Sequence, residues 1–330
     1  MIRVPFENLL AELARALLTL GFEADRAELC ARLFAETTRD GVYTHGMNRF
    51  PRFIATIRNG SVDVGARAEL VQTMGALERW DGHSGPGNLN AYACMERAIA
   101  LARQHGIGCV ALARTNHWMR GGSYGWQAAE AGAVGICWTN TLANLPPWGG
   151  LDARLGNNPL VMAAPRSSGP VVLDMAVSQF SYGTLEAYSR SGRELPVPGG
   201  FDEQGELTRD AAAIERSKRA LPIGYWKGSG LSMMLDLVAA VLSGGNATRQ
   251  IPLDPLRETG LSQVFIAMDA RSFDASQVAD GIIEFSRSAA PVQVGRPVRY
   301  PGEQTLRLRA ENMLAGVPVE EQIWSDLLAM

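Results

Sequence analysis

The stretch GIGCVA at residues 106–111 decides the fold of this chain. Its letters fit the G-x-G-x-x-A pattern of dinucleotide-binding loops, in which a strand precedes the glycines and a helix follows them. Here the order is reversed: a helix predicted from about Asn88 to Gln104 precedes the glycines, and an apolar strand from Cys109 to Leu112 follows them. The stretch therefore predicts strands and helices in alternation, without a Rossmann phosphate loop.

The rest of the chain continues this alternation. Apolar residues at helical spacing predict helices near residues 6–18, 25–38, 49–58, 124–131, 182–191, 230–242, 277–288, 303–315 and 319–328. Short apolar runs predict strands at residues 70–74, 76–80, 134–138, 160–164, 171–173 and 264–268. Asp25 and Ser229 are the expected N-caps of two of these helices. The segment 192–223, rich in Pro, Gly and charge, is long for a connection, which indicates a functional or mobile segment. The pattern as a whole predicts an α/β fold.

Composition excludes several classes of partner. The chain has 330 residues and a formal net charge of −3, so it has no basic field to attract nucleic acid or anionic lipid. No apolar run approaches the roughly 20 residues of a membrane span, and charged residues interrupt the leucine-rich N-terminus. We therefore expect a small-molecule partner, no nucleic acid, no membrane and a cytoplasmic location.

Cysteine and histidine spacing gives no sign of a metal site. The four cysteines are widely separated and form no C-x-x-C pair, which is typical of buried thiols in a reducing compartment. The four histidines, His45, His83, His105 and His117, show neither H-x-x-x-H nor H-x-x-E-H spacing. We expect no bound metal.

The segment from Thr44 to Arg49 carries the residue types that a ketone reductase needs. Histidine is the side chain best suited to protonate a carbonyl oxygen near neutral pH, and His45 is the candidate. Arg49 could hold a carboxylate through two hydrogen bonds, and Thr44 could orient the imidazole. An alternative is a loop histidine bonded to backbone beside a surface arginine, and residue pattern alone leaves both interpretations open.

Two further segments combine glycine with polar or aromatic side chains. Residues 114–125 follow the strand ending near Leu112 and include His117 and Arg120, so they could form a ligand loop or a plain strand-to-helix turn. Residues 224–230 place Trp226 beside Lys227 between glycines, which suits stacking on a base with a cation for phosphate. The alternative there is a loop that caps the following helix.

Together these segments resemble the malate/L-lactate dehydrogenase family, whose members lack a Rossmann domain. The resemblance extends over the whole chain, and its most specific stretches are residues 41–53, 116–127, 135–140, 146–149 and 221–230. It implies a mixed core sheet in residues 69–302, and an N-terminal helical region (1–68) packed against C-terminal helices (303–330). It also implies a homodimer.

The resemblance further implies an activity and a site. The activity is the reduction of a 2-oxo acid with NADH, NADPH being possible. His45, supported by Thr44, would be the proton donor; Arg49, with His117 or Arg120, would hold the substrate. The implied cofactor contacts are Pro170, Val171, Val172, Leu173, Asp174, Met175, Ala176, Trp226, Lys227, Gly302, Glu303 and Gln304. Ala176 replaces a serine and Asn157 a threonine of the family pattern, so a hydroxyl contact is lost at each point.

Three alternatives stay open at this stage. The chain could reduce another 2-oxo acid or a cyclic imino acid. It could be a catalytically silent sugar-acid binding protein that keeps the fold. A metal-dependent hydrolase is the third alternative, although it would need ligands brought together only by the tertiary structure.

Overall fold

A computed structural model gives the fold, and it describes residues 1–293 and 295–330. The helices are α1 (Phe6–Thr19), α2 (Ala24–Arg39), α3 (Phe50–Arg58), α4 (Gly87–His105), α5 (Gly122–Glu130), α6 (Tyr182–Ser191), α7 (Ala211–Ser217), α8 (Trp226–Ser243), α9 (Ala275–Arg287), α10 (Glu303–Ala315) and α11 (Glu321–Leu328). The strands are β1 (Ile2–Val4), β2 (Glu69–Met74), β3 (Leu77–Asp81), β4 (Ile107–Asn116), β5 (Ala133–Thr139), β6 (Leu160–Ala164), β7 (Val171–Met175), β8 (Gly200–Phe201), β9 (Leu207–Thr208), β10 (Arg219–Ala220), β11 (Thr259–Asp269) and β12 (Val317–Val319).

A seven-stranded mixed sheet forms the centre of the molecule. Its strand order is β2-β3-β4-β11-β5-β6-β7, in which only the β3–β4 pair is parallel. Side chains of β4 alternate between the two faces: Val110 and Leu112 pack beneath α4 and α5, whereas Ala111 packs against α8. This arrangement confirms the predicted non-Rossmann α/β fold.

The glycines of the opening stretch serve packing. Gly106 ends α4 in the left-handed conformation, with φ +84°. Gly108 lies where α4 crosses β4, and a Cβ there would stand 2.2 Å from the Ala98 carbonyl oxygen. The two glycines therefore let the helix turn sharply into the strand and lie close against it.

A second core joins the two ends of the chain. Strand β1 pairs antiparallel with β12, so the N-terminal and C-terminal segments lie side by side. Apolar side chains of α1, α2 and α3 pack in one buried cluster with Val317, Val319 and Leu327. The loop that follows α2, which carries His45, therefore rests on helices held from both ends of the chain.

Residues 192–223, predicted to be functional or mobile, contain α7 and the small sheet β10-β8-β9, which pack on a cluster that includes Leu185 and Ile214. Two other local predictions were wrong. The last helix begins at Glu321 because residues 317–319 pair with β1 as a strand. Strand β4 continues beyond Leu112 to Asn116, so the ligand loop predicted at residues 114–125 is shorter.

Both predicted N-caps were also wrong. Helix α2 begins one residue before Asp25, after Glu23. Helix α8 begins at Trp226, which places Ser229 in its first turn, where the Ser229 hydroxyl accepts a hydrogen bond from the Trp148 amide at 2.9 Å. In the described residues, none of the helices has both the length and the apolar character that crossing a membrane requires.

Gly108→Ala should lower the free energy of unfolding by about 1–3 kcal/mol, because the added methyl group meets helix backbone that can move only by disturbing the core. The measurement is denaturant unfolding followed by circular dichroism. Gly281→Ala in exposed α9 is the matched control, since nothing lies within 4 Å of its Cβ position, and it should gain up to about 1 kcal/mol. Equal stability of the two variants would contradict the packing role of Gly108.

Candidate active site

His45 lies in a tight loop between α2 and α3, built from two short 3-10 turns at Tyr43–His45 and Met47–Arg49. The Thr38 hydroxyl at the end of α2 accepts a hydrogen bond from the Met47 amide at 2.9 Å. A Cβ at Gly46 would stand 2.4 Å from the same hydroxyl, so only glycine permits this approach. The loop is thereby fixed against α2, and the position of the imidazole with it.

Thr44 contacts His45 as the sequence suggested. Its Oγ1 lies 3.1 Å from His45 Nδ1, within hydrogen-bonding distance. The Thr44 methyl group in turn contacts the backbone of α6, where a Cβ at Gly183 would lie 2.6 Å from it. Thr44 is therefore held from one side by α6 while it orients the histidine ring on the other.

A second histidine stacks on the first. The rings of His45 and His117 are 5.9 Å apart between centroids, with 15° between their planes. His117 Nδ1 accepts a hydrogen bond from the Met119 amide at 3.0 Å. Neutral His117 therefore carries its proton on Nε2, which leaves an N–H group that can donate to a substrate oxygen.

The surroundings favour the neutral form of both histidines. Burial, followed by the positive charges of Arg49 and Arg120, lowers the pKa of His45 to about 4. Burial, Arg49 and His45 lower the pKa of His117 well below its usual value. An anion bound beside Arg49 would offset part of this positive charge and raise the pKa of His45 again.

Arg49 and Arg52 form a cationic wall next to the two histidines. Their Nη2 atoms lie 3.8 and 4.0 Å from Glu258 Oε2. Arg52 is also anchored to the Pro255 carbonyl oxygen, with its Nη2 at 2.5 Å. The Arg49 guanidinium donates no hydrogen bond within residues 1–293 and 295–330, so its N–H groups remain available to a carboxylate.

Arg120 is placed differently from our expectation of a substrate contact. Its guanidinium is 5% exposed, and its Nη1 donates to Asp40 Oδ2 at 2.7 Å. Arg309 of α10 and Arg39 of α2 bind the same carboxylate. Burial alone would raise the pKa of Asp40, but the Arg309 hydrogen bond and the charges of Arg120 and Arg39 outweigh it and lower the pKa. Arg120 therefore acts on the site through its charge.

The first and third expected cofactor segments lie side by side along β7, an edge strand of the sheet. The Val172 amide donates to the Pro301 carbonyl oxygen at 3.2 Å, and a Cβ at Gly302 would stand 3.1 Å from the Val172 nitrogen. Gly302 has φ +91° and directly precedes α10, whose first turn contains Glu303 and Gln304. The Glu303 amide donates to the Tyr300 carbonyl oxygen at 3.3 Å.

The second cofactor segment lies near the opposite end of β7. The Ile223 amide donates to the Val177 carbonyl oxygen at 2.9 Å, which places the start of α8 just beyond Ala176. Trp226 is 64% exposed there, and Lys227 is next to it. An exposed aromatic ring at one end of the strand and a helix N-terminus at the other fit the base and the phosphates of a dinucleotide.

Asp174 connects the cofactor strand to the histidine loop. Its Oδ2 accepts a hydrogen bond from the Gly122 amide at 2.8 Å, and burial raises the pKa of this carboxyl group. Arg120 acts electrostatically on both Asp174 and His45. The charge of one guanidinium therefore influences both the imidazole and a carboxylate of β7.

Sequence reasoning missed Glu258, Arg52 and Asp40. Arg52 lies within the helix predicted near residues 49–58, and neither it nor Asp40 was given a role. Glu258 lies more than 200 positions after Arg49, in a segment without any motif. No local sequence signal could have paired Glu258 with Arg49. In the part of the chain that the structure describes, no cluster of His, Cys, Asp or Glu could hold a metal ion.

Comparison with known proteins identifies the family. The sequence profile described as malate/L-lactate dehydrogenase matches residues 4–328. A 2,3-diketo-L-gulonate reductase of Citrobacter koseri is 47% identical over 332 residues, covering 99% of this chain and 100% of the relative.

Solved structures give the same result. A malate dehydrogenase of Pyrococcus horikoshii is 27% identical with a TM-score of 0.89, covering 99% of this chain and 94% of that one. A delta1-piperideine-2-carboxylate reductase of Pseudomonas syringae is 28% identical with a TM-score of 0.88, covering 100% and 99%. Dehydrogenases of this kind imply a nicotinamide cofactor. The chain belongs to the malate/L-lactate dehydrogenase family and is an oxidoreductase.

Proposed function

We propose that the chain reduces 2,3-diketo-L-gulonate, or a close 2-oxo sugar acid, to 3-keto-L-gulonate with NADH. The observation that carries the proposal is the placement of His45 beside the available guanidinium of Arg49. Full-length similarity to the Citrobacter koseri reductase supports the choice of substrate. NADPH is the alternative reductant.

The carboxylate of the substrate binds to Arg49 through two hydrogen bonds. The His117 Nε2–H group donates to an oxygen of the bound acid, and His45 delivers its proton to the keto oxygen while Thr44 holds the ring. When bound along residues 170–176, 226–227 and 302–304, a nicotinamide cofactor supplies the hydride. The negative substrate also favours the protonated form of His45, so the proton donor is formed as the substrate binds.

A polyhydroxylated substrate finds a hydrogen-bond acceptor in the same place. Asn116 lines a small cavity with Arg49, His117 and Glu258. Its side-chain nitrogen donates to the Ser84 and Gly85 carbonyl oxygens, whereas its Oδ1 has no partner among the described residues. A buried acceptor without a partner is costly, so it suits a ligand that brings hydroxyl groups.

A cyclic imino acid is the second candidate substrate. The similarity to the Pseudomonas syringae reductase extends over the whole chain and favours it. A carboxylate beside the reducible C=N bond would bind Arg49 in the same way, with the proton of His45 delivered to nitrogen. The two candidate substrates differ in their hydroxyl groups. The sugar acid carries hydroxyl groups that could donate to Asn116, whereas the cyclic imino acid does not.

A panel of keto and imino acids with NADH and NADPH, followed by absorbance, tests the activity. We expect the highest kcat/KM for 2,3-diketo-L-gulonate with NADH.

His45→Ala should lower kcat by roughly 10²–10⁴, the usual contribution of a positioned acid. His105→Ala, at the exposed end of α4, is the matched control and should keep wild-type turnover. Turnover that survives His45→Ala would show that another group donates the proton.

The pH dependence tests the protonation state of His45. With a pKa of about 4 in the free enzyme, the required imidazolium is lost as pH rises through that value. The kcat/KM for reduction should therefore fall about tenfold per pH unit between roughly pH 5 and 8. The break in kcat should lie at higher pH, because the bound carboxylate raises the pKa. A kcat/KM that stays constant over this range would contradict the assignment.

We propose that the protein is a homodimer. One face of α8 exposes a stripe of large apolar side chains at helical spacing: Met233, Met234, Leu237 and Val241. Contiguous exposed apolar surface of this kind is typical of an interface. A second copy that covers the stripe would also lie next to Trp226, at the start of the same helix.

Leu237→Arg should convert the dimer to a monomer, because a charge on the stripe would have to be buried without a partner. Sedimentation equilibrium at micromolar concentration gives the mass, and circular dichroism checks that the variant folds. Phe273→Arg is the control, since Phe273 is an exposed apolar residue in the loop after β11. A monomeric wild-type protein, or a dimeric Leu237→Arg variant, would contradict the proposed interface.

A further inference from the structure

The cationic wall beside the histidines contains one buried negative charge. Glu258 is 8% exposed, and its Oε1 accepts a hydrogen bond from the Leu142 amide at 3.3 Å. Its Oε2 lies 3.8 Å from Arg49 and 4.0 Å from Arg52. These distances exceed those of a hydrogen bond, so Glu258 compensates positive charge without occupying the N–H groups of Arg49.

The charges of this wall can be counted. Arg49 and Arg52 contribute two positive charges and Glu258 one negative charge, while both histidines are neutral near neutral pH. Arg120 is paired with Asp40. The wall therefore has a net charge of about one positive unit where the substrate carboxylate binds.

Other nearby carboxylates do not change this count. Asp254 acts electrostatically on Arg52, but it is exposed to solvent and its Oδ1 accepts the Leu256 amide at 2.9 Å. Water and salt screen an exposed charge far more than a buried one. Asp174 belongs to β7, and its Oδ2 accepts a hydrogen bond from the Gly122 amide at 2.8 Å. Glu258 is thus the buried carboxylate that sets the charge of the wall.

We infer that Glu258 determines substrate charge: it restricts the site to monoanionic 2-oxo acids and disfavours dianionic ones. This inference rests on the proposed function, because it concerns the same substrate site. One substrate carboxylate offsets the net charge of the wall. A second carboxylate, as in oxaloacetate, would lie next to Glu258 in the small cavity, where Arg52 is already bonded to the Pro255 carbonyl oxygen and lies beside Glu258. The proton that His45 gains on substrate binding goes to the keto oxygen, so it does not compensate this second charge. Selectivity therefore comes from repulsion by Glu258 as well as attraction by Arg49.

Glu258→Gln tests the inference, because glutamine keeps the size of the side chain and an oxygen acceptor for the Leu142 amide. The measurement is kcat/KM for oxaloacetate divided by kcat/KM for the best monoanionic substrate. We expect this ratio to rise by about tenfold or more, since removing the carboxylate relieves a charge repulsion in a poorly solvated site.

Two further variants separate charge from structure. Glu258→Asp retains the charge and should keep the wild-type ratio, even if overall activity falls. Glu284→Gln removes one negative charge from exposed α9 and should leave both substrates unaffected. Equal changes for the two substrates in Glu258→Gln, or a wild-type protein that already prefers oxaloacetate, would overturn the inference.

Calorimetry distinguishes failure of the inference from failure of the proposed function. L-lactate and L-malate are titrated into wild-type protein and Glu258→Gln without any turnover. If the wild type reduces no 2-oxo acid, the proposed function fails; the inference still stands if Glu258→Gln improves malate binding over lactate binding by about tenfold. An unchanged binding ratio overturns the inference independently of catalysis.

Discussion

The site depends on one buried carboxylate that three guanidinium groups share. Asp40 ends α2, and it binds Arg39 of that helix, Arg120 of the loop after β4 and Arg309 of α10. Burying an unpaired carboxylate would cost several kcal/mol, so each arginine must stay where it offsets that cost. Asp40 therefore fixes three parts of the chain relative to the loop that begins at Gly41 and carries His45.

This arrangement links the fold to the chemistry. Asp40 holds Arg120 in place. The positive charge of Arg120 then acts on both His45 and Asp174, and it disfavours the imidazolium form of His45. In the proposed mechanism, a substrate carboxylate on Arg49 would offset the positive charge around the ring. His45 would then be protonated only when a substrate is present to receive the proton.

The sequence predicted what depends on local pattern and on family likeness. The bounds of α6, α10 and β6 agree with the predicted ranges, and the alternate burial of Val161 and Ala163 in β6 is the period-two pattern of a strand. Contacts across long separations were missed. Residues 317–319 form a strand only because β1 lies beside them, and Glu258 gains its meaning only next to Arg49 and Arg52. The start of α8 at Trp226 follows Tyr225 at φ +62°, a conformation that residue pattern does not reveal.

The described residues contain no Rossmann loop, so a dinucleotide would have to be held elsewhere. In the stretch 106–111 the glycines are used to pack α4 on β4, so they are not available to phosphates. The edge strand β7 offers an alternative, because its five residues span roughly 16 Å between the N-terminus of α10 and the exposed ring of Trp226. Gly302 permits the close approach of helix and strand there, as a glycine of a phosphate loop does elsewhere. Phosphate binding favours a helix N-terminus that lies close to other backbone, and α10 beside the edge strand β7 has this arrangement.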